Sequence, residues 1–273
     1  MTLKANTALY AHYLLFTVLV ITGLTPQRSF AHDFWIEPDN FTPAPDALVS
    51  VRLREGMGFK GNTLPYIEEW FSDFSIVNDL GRAPIISLTG DDPAAQLYVK
   101  SGQALLGYLS EATFVELDAA KFNQYLLNEG IEFIRDARRE RGEDQTSAPE
   151  YFVRCAKVLL QSTEPGTAVY GEELGYTLEL IPLGNPYEQA VGDTLEFRLL
   201  YRGQAIEGLQ VQALTRERPE LLQKIRTDAQ GRAVIHLSHP GTWMVKAVQI
   251  EPLMDDPRAH WQSYWASYLF TLD

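Results

Sequence analysis

The chain has 273 residues, of which 45% are hydrophobic, and its formal net charge is −13. This acidic balance argues against a nucleic-acid-binding surface, because phosphates require basic patches, and it suits a protein that attracts cations. The only cysteine, Cys155, excludes an internal disulfide, and its apolar neighbours favour a buried structural thiol.

Residues 1–31 have the pattern of a secretory signal peptide. A basic start precedes the apolar run 13–24, and Ser29 and Ala31 put small residues at the positions that signal peptidase reads. The run is shorter than the roughly 20 apolar residues of a membrane-spanning helix, so an uncleaved anchor is the less favoured alternative. We therefore expect cleavage after Ala31, a periplasmic location and a mature chain that begins at His32.

The first part of the mature chain is predicted to be a β-domain over residues 32–115. Ala47–Arg54 alternates apolar and polar residues with the period of a strand, and prolines and glycines mark the loops on either side. The short strands expected here, at regular spacing, are typical of a sandwich.

The middle of the chain, residues 116–165, is predicted to be a helical segment packed on the first domain. Asp118 is suited to cap a helix that ends at Gly130. The apolar run Tyr151–Leu160, which carries Cys155, is interpreted as a further helix.

Residues 174–273 are predicted to form an immunoglobulin-like β-sandwich. Glycine- and proline-containing turns separate six predicted strands at the spacing that such a sandwich needs. These strands are Thr177–Ile181, Thr194–Tyr201, Val211–Thr215, Arg232–Leu237, Thr242–Ile250 and Ser263–Leu272. The fold class expected overall is mainly β, with two sandwich-like domains and a helical insertion between them.

Short motifs, each occurring once, are spread along the whole expected mature chain. They are His32-Asp33-Phe34-Trp35-Ile36-Glu37-Pro38, Lys121-Phe122, Arg154-Cys155-Ala156-Lys157, Asn185-Pro186-Tyr187, Thr227-Asp228 with Gly231, Pro240-Gly241-Thr242-Trp243, Val245-Lys246-Ala247, and Trp261 to Phe270. In this order they resemble a bacterial family known as domain of unknown function 4198, once labelled a nickel-uptake substrate-specific region. The resemblance implies an extracytoplasmic protein that handles nickel, cobalt or copper.

The sharpest chemical feature is the expected mature N-terminus. Cleavage after Ala31 frees an α-amine on His32, whose own imidazole can reach the same ion. The unperturbed pKa of such an amine is about 7.7–8.0, so a metal of the Cu(II) or Ni(II) type must displace a proton at neutral pH. Nitrogen donors of this kind suit copper, nickel and zinc.

Further ligands are needed, because one residue does not complete a metal site. The candidates are Asp33, the nearest carboxylate, together with His236 and His260. In the alternative reading, His32 marks only the place of cleavage and its ring packs on Trp35. A surface histidine is often no more than a satisfied polar group.

Catalytic signatures are absent from the sequence, so we do not expect an enzyme. The leading hypothesis is an extracytoplasmic binding or delivery protein for a divalent transition metal. The alternative is a noncatalytic immunoglobulin-like module that binds an envelope protein or a glycan, and an envelope hydrolase comes third. The expected partners are a metal ion or an envelope protein. We expect no nucleic acid and no membrane span after signal cleavage.

Overall fold

Seventeen strands and two α-helices follow one another along residues 32–273, the part of the chain that the computed structural model describes. The predicted signal peptide lies outside these residues. The first eight strands are β1 (Asp33–Pro38), β2 (Val49–Met57), β3 (Lys60–Leu64), β4 (Phe71–Asn78), β5 (Gly81–Pro84), β6 (Ala95–Leu97), β7 (Gln103–Ser110) and β8 (Thr113–Leu117).

The two helices follow β8 directly and precede all the remaining strands. They are α1 (Ala119–Asn128) and α2 (Glu132–Glu140), after which the chain continues as β9 (Ala148–Gln161). The last eight strands are β10 (Leu178–Pro182), β11 (Thr194–Tyr201), β12 (Gln204–Ala205), β13 (Gln210–Thr215), β14 (Gln223–Arg226), β15 (Arg232–His236), β16 (Gly241–Pro252) and β17 (Trp261–Leu272). The prediction of a mainly β, sandwich-like fold is confirmed.

A nine-stranded sheet forms the centre of the fold. Its order is β14-β13-β16-β17-β9-β7-β4-β5, with β8 also paired to β9. The two halves of the sheet join where β17 runs parallel to β9, with Trp265 opposite Arg154. Both regions predicted as separate β-domains, 32–115 and 174–273, therefore contribute strands to this one sheet, and the described residues form one compact unit.

Each face of the central sheet is covered by a four-stranded sheet. One of these joins β1, β2, β3 and β6, and the other joins β10, β11, β12 and β15. Neighbouring residues of the central strands enter opposite cores: Leu159 packs towards β10 and β11, whereas Val158 packs towards β1 and β2. Two sandwiches thus share their middle layer.

The prediction of a helix at Tyr151–Leu160 is wrong, because this whole run lies within β9. From Cys155 to Leu160, β9 is buried on both faces, so its apolar residues there are nearly continuous instead of alternating. Periodicity alone does not distinguish such a strand from a buried helix. The helical part of the predicted segment 116–165 is therefore confined to α1 and α2.

Helix α1 begins and ends as the sequence predicts. The Asp118 side chain accepts a hydrogen bond from the Lys121 amide at 2.9 Å, which caps the first turn. Gly130 follows the helix with φ at +72°, a conformation that glycine adopts without strain. Phe122 and Tyr125 of α1 pack on the rings of Trp261 and Trp265, so the helices cover one end of the central sheet.

Candidate functional site

A buried charged cluster lies at the first residue of β1. Lys246 Nζ on β16 lies 2.6 Å from Asp33 Oδ1 and 3.2 Å from Glu129 Oε1. Glu129 is the residue that directly follows α1. Each of the three residues is less than a tenth exposed. The Gln212 amide donates to the other oxygen of Glu129 at 2.9 Å. The cluster therefore connects the first strand, the central sheet and the helical insertion.

The electrostatics of this cluster favour a charged lysine. Burial by itself lowers the pKa of Lys246, but Asp33 and Glu129 outweigh it, so the pKa lies above its ordinary value. Burial also raises the pKa of Glu129, and Lys246 offsets part of that effect. One ammonium shared by two carboxylates holds the three side chains together in a site with little access to water.

The strand that follows Asp33 is fixed along its length. Phe34, Trp35 and Ile36 are each no more than 3% exposed. The Ser267 hydroxyl of the central sheet donates to the Phe34 carbonyl at 2.7 Å. His32 lies half-buried immediately before this strand. The backbone on the C-terminal side of His32 is therefore held in place by core packing and by this hydrogen bond.

The other two candidate histidines belong to different parts of the fold. His236 is the exposed last residue of β15, where its backbone exchanges hydrogen bonds with the Gln223 side chain. His260 is exposed before β17, and its amide donates to the Pro149 carbonyl at 2.9 Å.

The sequence-derived ligand set His32, Asp33, His236 and His260 does not form a ready-made centre in residues 32–273. Within these residues, no three histidine, cysteine, aspartate or glutamate side chains gather in a way suited to a metal ion. The structure engages Asp33 in the ion pair with Lys246. The metal site thus stays a prediction, and it depends mainly on His32.

The sequence does not predict Lys246 and Glu129 as the partners of Asp33. The sequence does indicate that Lys246 is unusual, because it interrupts the apolar run Trp243–Val248 of a buried strand. A lysine in such a place is rarely fully buried unless it is paired. The sequence does not, however, identify a partner 213 positions away.

A second buried acid, also missed, lies beneath the helices. Glu150 on β9 is fully buried and accepts a hydrogen bond from the Ser263 hydroxyl, which in turn accepts from the Trp265 indole at 3.0 Å. Burial raises the pKa of Glu150 to about 7, although the hydrogen bond from the Ser263 hydroxyl opposes the rise. The carboxyl group therefore holds its proton up to nearly neutral pH.

The free thiol of Cys155 is buried, as the sequence predicts, although it lies on a strand. The side chain is 2% exposed, and burial raises its pKa to about 12. Such a thiol is a weak nucleophile and a poor metal ligand, because the thiolate is the reactive form.

Comparison with known families decides the relationship of the chain. The family described as Domain of unknown function (DUF4198) matches residues 29–251. The chain belongs to this family. The match confirms the resemblance found in the sequence, while the older nickel-uptake label receives no support from it. No curated protein and no solved structure shows a significant match to the chain.

The part of the chain matched by the DUF4198 family contains the whole charged cluster. Asp33, Glu129 and Lys246 all lie between residues 29 and 251, as does His32. Strand β17 lies beyond the match, although it pairs with β16 and β9 in the middle of the central sheet.

Proposed function

We propose that this protein is an extracytoplasmic metal-binding or metal-delivery protein that holds a divalent transition metal, nickel, cobalt or copper, at His32. The observation that carries the proposal is the buried ion pair between Asp33 and Lys246. It fixes the backbone directly beside His32, so a chelate formed there loses little conformational freedom on binding a metal.

The chemistry of the proposed site depends on removal of residues 1–31. The α-amine of His32 and its own imidazole then supply two nitrogen donors from a single residue, which suits Cu(II) and Ni(II). Binding must displace the amine proton, so affinity rises with pH until the amine is deprotonated. The remaining coordination positions are open to water or to a receiving protein.

The proposed location rests on the signal-peptide pattern of residues 1–31. Their removal takes away Lys4 and Arg28 and no acidic residue, so the formal charge changes from −13 to −15, that is, by two. A surface of this sign raises the local concentration of cations. None of the helices in residues 32–273 is both long and apolar enough to cross a membrane.

Metal titration of the exported protein tests the proposal. Ni(II), Co(II) and Cu(II) are titrated into the processed wild type, into His32→Ala, and into a variant with one alanine inserted before His32. His239→Ala is the matched control, because the His239 ring already contacts the Ser238 hydroxyl at 2.8 Å. We expect both changes at His32 to weaken binding and the control to bind like the wild type. Equal affinity in all four proteins would refute the amine–imidazole site.

The second candidate is a noncatalytic interaction module for an envelope protein. Three apolar side chains along the edge segment 80–88 favour it: Leu80, Ile86 and Leu88 are 90%, 81% and 76% exposed. Strand β5 in this segment is the last strand of the central sheet on that side. Retention of an envelope protein by the wild type, and its loss in a variant with serine at the three positions, would support this function. Equal retention by both proteins would exclude this surface.

A further inference from the structure

The pairing of β1 with β2 determines which side chain stands opposite His32. In this antiparallel pair, Asp33 is opposite Gly56 and Phe34 is opposite Glu55. Continuing the register by one residue places His32 opposite Met57. Opposite residues of an antiparallel pair have Cβ atoms about 4.5–5.5 Å apart and point to the same face. The Met57 thioether is therefore within reach of an ion held by His32.

Met57 is the last residue of β2 before a tight turn, and its side chain is exposed. It pairs with Lys60 across a two-residue turn in which Gly58 and Phe59 both have positive φ, at 55° and 65°. Phe59 is only 8% exposed and packs edge-on against Trp35, with ring centroids 5.8 Å apart. The Met57 side chain, by contrast, is 64% exposed.

The neighbouring carboxylate on the same face of β2 is already engaged. Glu55 Oε2 accepts a hydrogen bond from Arg154 at 2.7 Å, and the Arg154 guanidinium lies 5.0 Å from the ring of Phe34. An acidic ligand for a hard cation would have to leave this ion pair. Met57 has no such competing ion pair, so the donor offered next to His32 is a soft sulfur.

We infer that Met57 is a further ligand of the His32 site and that the site takes copper, which it can hold as Cu(I) as well as Cu(II). This inference rests on the proposed function and assigns its substrate. Thioether sulfur selects Cu(I), whereas amine and imidazole nitrogen bind Cu(II) well. Nickel and cobalt gain little from a thioether, so the third donor separates copper from the other two ions.

The test compares Met57→Leu with Met254→Leu in the exported, processed protein. Leucine keeps the size and apolar character of methionine, and both methionines are exposed, so neither change threatens the core. Cu(I) affinity is measured under reducing, oxygen-free conditions by competition with a chromogenic Cu(I) chelator. Cu(II) and Ni(II) affinities are measured on the same proteins.

We expect Met57→Leu to weaken Cu(I) binding by more than about tenfold, since loss of even a residue that only orients a metal ligand costs about 10–100-fold. Ni(II) affinity is expected to be unchanged, and Met254→Leu is expected to match the wild type for every ion. X-ray absorption of the Cu(I) form should show copper–sulfur scattering that Met57→Leu abolishes.

Two different failures can be told apart. Wild-type Cu(I) affinity in Met57→Leu, together with weakened binding in His32→Ala, would overturn the assignment of Met57 and leave the proposed function standing. Unchanged binding of all ions in His32→Ala would overturn both.

Discussion

Lys246 Nζ lies 2.6 Å from Asp33 Oδ1 in a site where both side chains are less than a tenth exposed. The two residues are 213 positions apart in the chain. Their contact attaches the first strand of the described fold to a central strand of its largest sheet. The position of the backbone next to His32 therefore depends on a residue near the other end of the sequence.

Removing the lysine should destabilise the whole fold. In Lys246→Met, Asp33 and Glu129 are left buried without a cation, and loss of one partner of a buried pair costs about 3–5 kcal/mol. We expect a decrease of that size in the free energy of unfolding, measured by guanidinium denaturation. Lys224→Met is the control. Lys224 is an exposed lysine that donates a hydrogen bond to the carbonyl of Asn128, the last residue of α1. Equal stability of the two variants would show that the cluster contributes nothing to the fold.

Glu150 should make stability depend on pH. Its folded-state pKa, about 7, lies above the ordinary value of 4.5 because of burial. The folded state therefore binds the proton more tightly, so the stability it contributes is fully present below pH 4.5 and is lost as the pH rises through 7. In Glu150→Gln, stability relative to the wild type should increase by about 3 kcal/mol between about pH 4 and pH 8.

The control for this experiment is Glu116→Gln. Glu116 is exposed and accepts a hydrogen bond from the Ser147 hydroxyl at 2.6 Å, so it shares the serine contact without the burial. Denaturation curves of the three proteins across the pH range give the comparison. A difference between Glu150→Gln and the wild type that stays constant with pH would contradict the assigned protonation.

The thiol of Cys155 should be unreactive in the folded protein. It is 2% exposed, and burial raises its pKa to about 12, so the thiolate is scarce at pH 8. A chromogenic disulfide reagent should modify no thiol in native protein and one thiol per chain in guanidinium. Rapid modification of the native protein would place Cys155 at the surface and contradict the central position of β9.

Strands in which apolar and polar residues alternate, or which lie between clear turn residues, were predictable from the sequence. The predicted strand Thr194–Tyr201 coincides with β11, and Arg232–Leu237 differs from β15 by one residue. The failure at β9 has a physical cause, since a strand covered on both faces loses its alternation. The sharing of one central sheet by both halves also escaped prediction, because it depends on the long-range pairing of β17 with β9.

The candidate site was predictable only in part. His32 and Asp33 are predictable as candidates because they follow the expected cleavage position, but the partners of Asp33 depend on how the fold positions α1 and β16. The approach of Met57 likewise depends on the register of β1 and β2. Pairings between distant strands carry no local sequence signal, which is why these two relationships required the fold.

The proposed chelate exists only if His32 carries a free α-amine, so the intact mass of protein recovered from outside the cytoplasm is the decisive measurement. The full-length gene is expressed, and the protein is purified from outside the cytoplasm and weighed by mass spectrometry. We expect the mass of residues 32–273 with an unmodified N-terminus. A mass corresponding to any other first residue, or to a blocked amine, would contradict it.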